Sequence, residues 1–464
     1  MNRTGSLRRR HSEAGAKPPR LQWRRKLCVL TFLCLGGLLQ GATFSHINSF
    51  FNLYALDVKG LTSAEYGIIM GCYCFVMVFV TPPAAKLVNL KLFKDKTILF
   101  AAWTIDAAFC LMLSFAHRFP QGNQFFFGSL IIRILEAVGS AMGIIMLYVI
   151  TGQELNDINH IVIPLFETIH GISVVVSPAL GGILYDFGGF PMPFWVMGGA
   201  LLSATMLAVG FFPEHVSPAS EEKTSQDNGT RSAWKLPVIV NALSSMSAYV
   251  LISFNESTLA RQLNVEFGMD ATESGMLFFY AGGMYAISSL VFGFLSKKIS
   301  DPRYFVLLGL ITSIVALVLL GPLVPVKQTK GIVILSQVLL GAGTGPSFVC
   351  SYMHSLECIS NGQNTKWTYA ALSAIFTPAA SIGCTIGPVM AGMILNNYPF
   401  EAVVAVNALQ TAVMALLLTY TICCTGKSPE GLNKSRKSDE EPRVEREASI
   451  SGPHSAVEIR RETL

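Results

Sequence analysis

The sequence predicts an all-α polytopic membrane protein, and three observations carry that prediction. Hydrophobic residues make up 51% of the 464 and charged residues only 14%, against roughly 25% charged in soluble globular chains. Apolar segments of about 20 residues or more recur along the chain, each long enough to cross a hydrocarbon core. Lys and Arg cluster at the ends of those segments. The net charge of +5 therefore has no basic domain behind it, which excludes a nucleic-acid partner.

Twelve spans are predicted, near 27–54, 66–88, 97–116, 125–151, 161–184, 192–212, 236–259, 271–295, 304–324, 332–355, 369–395 and 401–424. Before the first, residues 1–26 form a basic tail with Arg8-Arg9-Arg10 and Arg24-Arg25-Lys26. A basic run ahead of a long apolar segment, with more spans to follow, reads as a start-transfer anchor rather than a cleaved leader. The polar stretch 213–235 divides the chain into six spans, 27–212, and six more, 236–424; a charged tail, 425–464, follows. Lys91, Lys94 and Lys96 follow span two, and Lys297, Lys298 and Arg303 follow span eight, whereas residues 185–191 carry no Lys or Arg. That alternation places both tails and the linker in the cytosol. The ten cysteines lie in or beside apolar segments and imply no disulfide framework. Cys423-Cys424 read as lipid-facing thiols, with palmitoylation the alternative.

The two halves look like repeats. Gly60, Glu65 and Gly67 open span two, and Gly268, Glu273 and Gly275 open span eight 208 residues later. The same offset carries Asn48 onto Glu256, and a small slip matches Ser177-Pro178 and Gly182 to Gly387-Pro388 and Gly392. Two similar six-span halves around a midplane site is a recurrent transporter design.

Charged side chains inside the apolar spans are the candidate site. A charge at membrane depth costs about 2.5–3.5 kcal/mol on insertion scales, so it faces a bundle interior or a wet cavity. Arg133 and Glu136 are three apart and share a helix face, so they are expected to pair. Glu167 and Glu256 have no basic residue within reach in their own spans. A carboxyl whose surroundings change between two access states can take up and release a proton, or pair with a substrate ammonium. A structural ion pair is the competing account of Glu136. His170 and His354 also lie in spans and are candidates for proton coupling, against the plainer reading of hydrogen-bonded core histidines. Pro178, Gly181, Gly182, Gly387 and Pro388 are the expected conformational hinge, because proline disrupts helix hydrogen bonding and glycine lets a neighbour come close. No metal-ligand spacing, nucleophile elbow or phosphate loop appears. The expectation is a non-enzyme needing no cofactor or metal.

With these residues the chain resembles the major facilitator superfamily: six plus six spans, Arg133 embedded in span four, and a Pro-Gly pattern in span five. The antiporter pattern Gly-x3-Gly-Pro-x2-Gly-Gly reads here Ser173-x3-Ser177-Pro178-x2-Gly181-Gly182, with both leading glycines replaced. Over roughly residues 30–420 it more closely resembles the vesicular amine transporters, in their vesicular polyamine transporter branch. Arg133-Ile-Leu-Glu136-Ala-Val, Glu167-Thr168 with Gly171, Asn241-Ala-Leu-Ser-Ser, Tyr285-Ala-Ile-Ser-Ser and Ser381-Ile-Gly with Gly387-Pro388 carry that resemblance. The chain departs from it after span two, where Pro82-Pro83-Ala-Ala-Lys86 lacks the gating Asp, and in span ten, where His354 stands for a Glu.

The resemblance implies a major facilitator fold in two pseudo-symmetric six-helix bundles. It implies a proton-coupled antiporter moving an organic cation, a polyamine or monoamine, into acidic vesicles by alternating access. Its partners would be that cation, protons and the lipid bilayer, and the working unit a monomer in a vesicle or other endomembrane. A plasma-membrane exporter of drugs or organic anions, and a transport-inactive family member, remain the alternative readings.

Overall fold

The computed structural model describes residues 19–90, 92–155, 158–213, 235–296, 298–299, 301–321, 323, 327–360 and 366–425. The linker 214–234, most of both tails and the side chain of Glu167 lie outside the described residues. Twelve long helices follow one another: α1 Pro19–Ser45, α2 Ser63–Asn89, α3 Asp95–Leu113, α4 Asn123–Glu154, α5 Asn159–Gly188 and α6 Pro191–Phe211 form the first half. The second half comprises α7 Leu236–Phe267, α8 Ala271–Ser296, α9 Arg303–Leu320, α10 Lys330–Ser360, α11 Lys366–Leu395 and α12 Phe400–Thr425. All twelve are long and apolar enough to cross a membrane. Large apolar side chains such as Met206, Phe211, Leu290, Phe294 and Leu416 stand on the outer surface, as a bilayer-facing protein requires.

The halves pack by the same plan. In the first, α1 lies on α5, α2 and α3 on α4, and α3 on α6; in the second, α7 lies on α11, α8 and α9 on α10, and α9 on α12. Across the halves, α2 packs against α11 and α5 against α8.

The repeated Gly-Glu-Gly pattern has a physical reading at each position. Gly60 and Gly268 sit at φ +69° and +65°, a left-handed backbone that a side chain disfavours. Next comes a helix cap. The Glu65 amide donates to Thr62 Oγ1 at 3.2 Å and the Thr62 amide to Glu65 Oε2 at 2.8 Å, a capping box. In the second half, the Glu273 amide donates to Asp270 Oδ1 at 2.7 Å. The closing glycines make the seam: a Cβ on Gly67 would strike the Pro388 carbonyl, and one on Gly275 the Pro178 carbonyl. One turn further along, Gly182 abuts the Ala271 carbonyl and Gly392 the Ser63 carbonyl, again as repeat partners.

The first span departs from its expected course. A continuous helix to residue 54 is the expectation, but α1 ends at Ser45, and a 3-10 turn His46–Ser49 and a wider π turn Tyr54–Val58 follow. The cause is local side-chain competition for backbone groups. Ser45 Oγ donates to the Gly41 carbonyl and His46 Nδ1 sits against the Ala42 and Thr43 carbonyls at 3.1 and 3.0 Å. The displaced His46 carbonyl lies against Gly181 of α5, where no Cβ fits.

Candidate functional site

Among the described residues, contacts between the halves gather at one end. Take the face where α1 begins as the N-terminal face and its opposite as the far face. At the far face Asn52 Nδ2 donates to the Ser257 carbonyl, Arg261 pairs with Asp57 at 3.3 Å, and Thr272 donates from Oγ1 and its amide to Asp186 at 2.6 and 2.8 Å. The glycine seams of α2–α11 and α5–α8 also lie in the far-face parts of those helices. Below them lies a cavity of about 460 Å3 between the halves.

The cavity is walled by α1, α2, α4 and α5 on one side and α7, α8, α10 and α11 on the other. Aromatic and aliphatic side chains dominate, among them Phe44, Tyr73, Tyr249, Tyr285 and Phe348. Among the described residues, Glu256 is the carboxylate on that wall. Its helix is pinned on both sides. Asn255 and Gln337 exchange amide hydrogen bonds at 2.8 and 3.1 Å, tying α7 to α10. Ser253 Oγ donates to the Gly383 carbonyl at 3.2 Å, tying α7 to α11. The side chain acting on Glu256 is the neutral amide of Asn48. Asn48 Nδ2 makes no well-formed hydrogen bond, so this is an approach rather than a locked pair. The repeat partners at offset 208 thus face each other across the cavity.

The first half carries its charge differently. Arg133 Nη1 donates to Glu136 Oε2 at 2.8 Å, the pair that the three-residue spacing predicts. The two side chains are 1% and 0% exposed. The guanidinium also lies 4.4 Å over the Tyr73 ring. Arg133 reaches the cavity wall, but Glu136 does not; it stands behind its partner. Bonded to a guanidinium and set back from the cavity wall, Glu136 is placed as the counter-ion of Arg133.

His170 and Asn48 do line the cavity. His354 is not on that wall. It is buried towards the N-terminal end of the second half, where Asn241 Nδ2 donates to its Nδ1 at 2.8 Å. Cys358 and the ion pair of Arg303 with Asp301, at 2.7 Å, are its other neighbours. Glu167 belongs to α5, and its side chain lies outside the described residues. Pro178, Gly181, Gly182, Gly387 and Pro388 all sit on close helix contacts, with Gly387 against Ser253. One of the two serines that replace glycines has a clear use. Ser173 Oγ donates to the Leu38 carbonyl and ties α5 to α1.

Sequence reasoning missed three residues. Asp106 on α3 is fully buried beside Arg133 and Glu136. It was visible by the rule that flagged Glu256, a lone carboxyl in an apolar span. Gln40 and Tyr73 also matter, and nothing in their spacing marks them. Gln40 Nε2 donates to Ser140 Oγ at 2.8 Å, while Trp103 Nε1 donates to Gln40 Oε1 at 3.1 Å.

Comparison with known proteins agrees with this geometry. The family model described as "Major Facilitator Superfamily" matches residues 33–259 and 238–461. Curated relatives named "MFS-type transporter SLC18B1" match from Rattus norvegicus, 26% identical over 392 residues, 82% of this chain and 83% of that one. The Homo sapiens protein is 26% identical over 421 residues, 87% and 88% of the two chains. These agree with the resemblance read from the span-four and span-five motifs. A "Multidrug resistance protein MdtG" from Serratia proteamaculans is 22% identical over 276 residues, 58% of this chain and 64% of that one. Among solved structures, a bacterial homolog of the human lysosomal transporter Spinster, inward-facing and unoccupied, has TM-score 0.72 at 14% identity, covering 89% of this chain and 100% of that one. The nucleoside transporter NupG has TM-score 0.61 at 13% identity, covering 85% and 98%. With twelve helices in two matching halves and the family model covering both, the chain belongs to the Major Facilitator Superfamily.

Proposed function

We propose that this transporter is a proton-coupled antiporter of organic amines working by alternating access. One observation carries the reading: Glu256 is a carboxylate on the wall of an apolar, aromatic-lined cavity, met among the described residues by a neutral amide. A carboxylate in such a place wants a cation or a proton. A substrate ammonium held on Glu256 in one access state and released in the other, in exchange for protons, gives antiport. The aromatic walls add cation–π attraction and a surface for an apolar body. They suit an organic amine, whose ammonium can sit on Glu256. An organic anion fits less well, because the positive charge of Arg133 is already neutralised by Glu136.

Among the described residues the contacts between halves lie at the far face, which supports a cavity reached from the N-terminal face. With that face in the cytosol, this is the loading state of a carrier that fills acidic vesicles. Opening the far face would part the α2–α11 and α5–α8 seams at Gly67, Gly182, Gly275 and Gly392. The test is uptake by the purified chain in liposomes with an acidic interior, comparing a radiolabelled monoamine with spermidine. Accumulation of an amine that collapses with the pH gradient is expected. Uptake of an organic anion, or of neither amine, would contradict the reading.

A further inference from the structure

The charged cluster of the first half contains one carboxyl more than its cation can balance. Arg133 faces Glu136 and also acts on Asp106, and all three side chains are at most 1% exposed. Each carboxyl has one oxygen with no hydrogen-bond partner, Asp106 Oδ2 and Glu136 Oε1. Asp106 Oδ1 receives a hydrogen bond from Thr43 Oγ1 at 3.3 Å. Two carboxylates and one guanidinium without water would leave a net negative charge in a dry interior, which is strongly unfavourable. A proton on one carboxyl removes the excess and fills an orphan oxygen with an O–H.

The surroundings supply no other counter-charge among the described residues. From α2, Tyr73 faces the cluster, and from α3 itself, Cys110. From α1 come Thr43 and, just beyond it, His46, on which the Arg133 charge also acts. The α6 sequence 191–211 has no ionisable side chain. There is, however, a route out. The Ser140 hydroxyl approaches Asp106 and Tyr73 and accepts from Gln40 Nε2 at 2.8 Å, and both Ser140 and Gln40 lie on the cavity wall.

We propose that Asp106 holds an exchangeable proton, passed to the cavity through Ser140, so that the proton site lies in the first half and the cation site at Glu256 in the second. In each transfer the Asp106 O–H bond breaks as its proton moves to the Ser140 oxygen, while Ser140 gives its own proton to cavity water. The reverse sequence reloads Asp106. The inference rests on the antiport reading for its role in transport, but the occupied proton site does not.

The first test therefore uses no substrate. Infrared spectra of the full chain in liposomes at neutral pH should show the C=O stretch of a protonated buried carboxyl. The band should shift on transfer to D2O, slowly in Ser140→Ala, and vanish in Asp106→Asn. Where Asp106→Asn fails to insert, Asp106→Glu keeps the carboxyl, and its band must move. A band unchanged in Asp106→Asn or Asp106→Glu overturns the proposal. A wild type without such a band overturns it equally. In uptake, residual amine flux in Asp106→Asn should lose its dependence on pH. Loss of stability and rate with the pH dependence intact would make Asp106 structural and overturn the coupling role. If the wild type carries no amine, the amine reading falls while the infrared result still decides the proton site.

Discussion

The two halves share one packing plan and place their charges in opposite ways. In the first half, Arg133 lies over Tyr73; at the offset of 208 the second half has Gly341 against the Ala281 carbonyl. Thr344 occupies the place of Glu136. Small residues there let α8, α9 and α10 approach closely, as at Gly343 against Gly309 and Ser313. The order reverses along the first span of each half, where neutral Asn48 corresponds to Glu256. Among the described residues, the first half thus answers its charge within itself, and the second presents an unanswered one to the cavity. A shared scaffold fixes where a side chain sits but not whether its charge is answered internally. An answered charge gives rigidity, and an unanswered one gives a binding site.

The comparison breaks most sharply at the seam, where the halves should behave alike. Gly182→Leu and Gly392→Leu each push a side chain into a backbone carbonyl of the other half. Overpacking costs about 1–3 kcal/mol, and here it falls on the far-face closure. Both variants are expected to insert in the membrane and to lose nearly all uptake. Normal transport by either would show that the seam does not move.

Within the first half, Glu136→Gln leaves Arg133 facing Asp106 with its main partner gone. Breaking a buried pair costs about 3–5 kcal/mol, so a large drop in thermal unfolding temperature is expected. Replacing both members with apolar residues of similar size, Arg133→Met with Glu136→Met, should recover more of that stability than restoring either charge alone. Equal stability of Glu136→Gln and wild type, measured by thermal unfolding in detergent, would contradict the pairing account.

The smallest effect is expected between spans eight and nine. Burial works to raise the Asp301 carboxyl, but hydrogen bonds from the Arg303 guanidinium and amide outweigh it and hold the group below the usual carboxylate range. A carboxyl lowered on folding stabilises the fold above its unfolded pKa, and that contribution is lost as pH falls through the folded value. Wild type should therefore lose a little stability as the pH falls below the ordinary aspartate range, about 4, and Asp301→Asn should flatten that loss. An unchanged acid response in Asp301→Asn would remove this pair from the account.

Much of this was legible in the sequence. Span count, the six-plus-six division and the Arg133–Glu136 pair follow from apolar length and a three-residue spacing. The Gly-Glu-Gly repeat was visible as a pattern, and its meaning as turn, cap and seam needed the backbone. What spacing cannot show is which way each helix turns within the bundle. That rotation is set by neighbours, through contacts such as Asn255–Gln337 and Ser253–Gly383. It places Glu256 on the cavity and puts Glu136 behind Arg133. It also takes His354 away to Asn241. Asp106 was present as a lone carboxyl in span three, and its importance lies in two partners from α1 and α4 that no local pattern reveals.

The central claim is that the second half's carboxylate meets the cation. Its most direct test is amine uptake by Glu256→Gln in liposomes with an imposed pH gradient, beside the thermal stability of the same protein. Among the described residues Glu256 makes no ion pair that its loss would break, so the variant should unfold at the wild-type temperature and fail to accumulate the amine. Unchanged affinity and unchanged pH dependence of uptake in a well-folded Glu256→Gln protein would contradict the account.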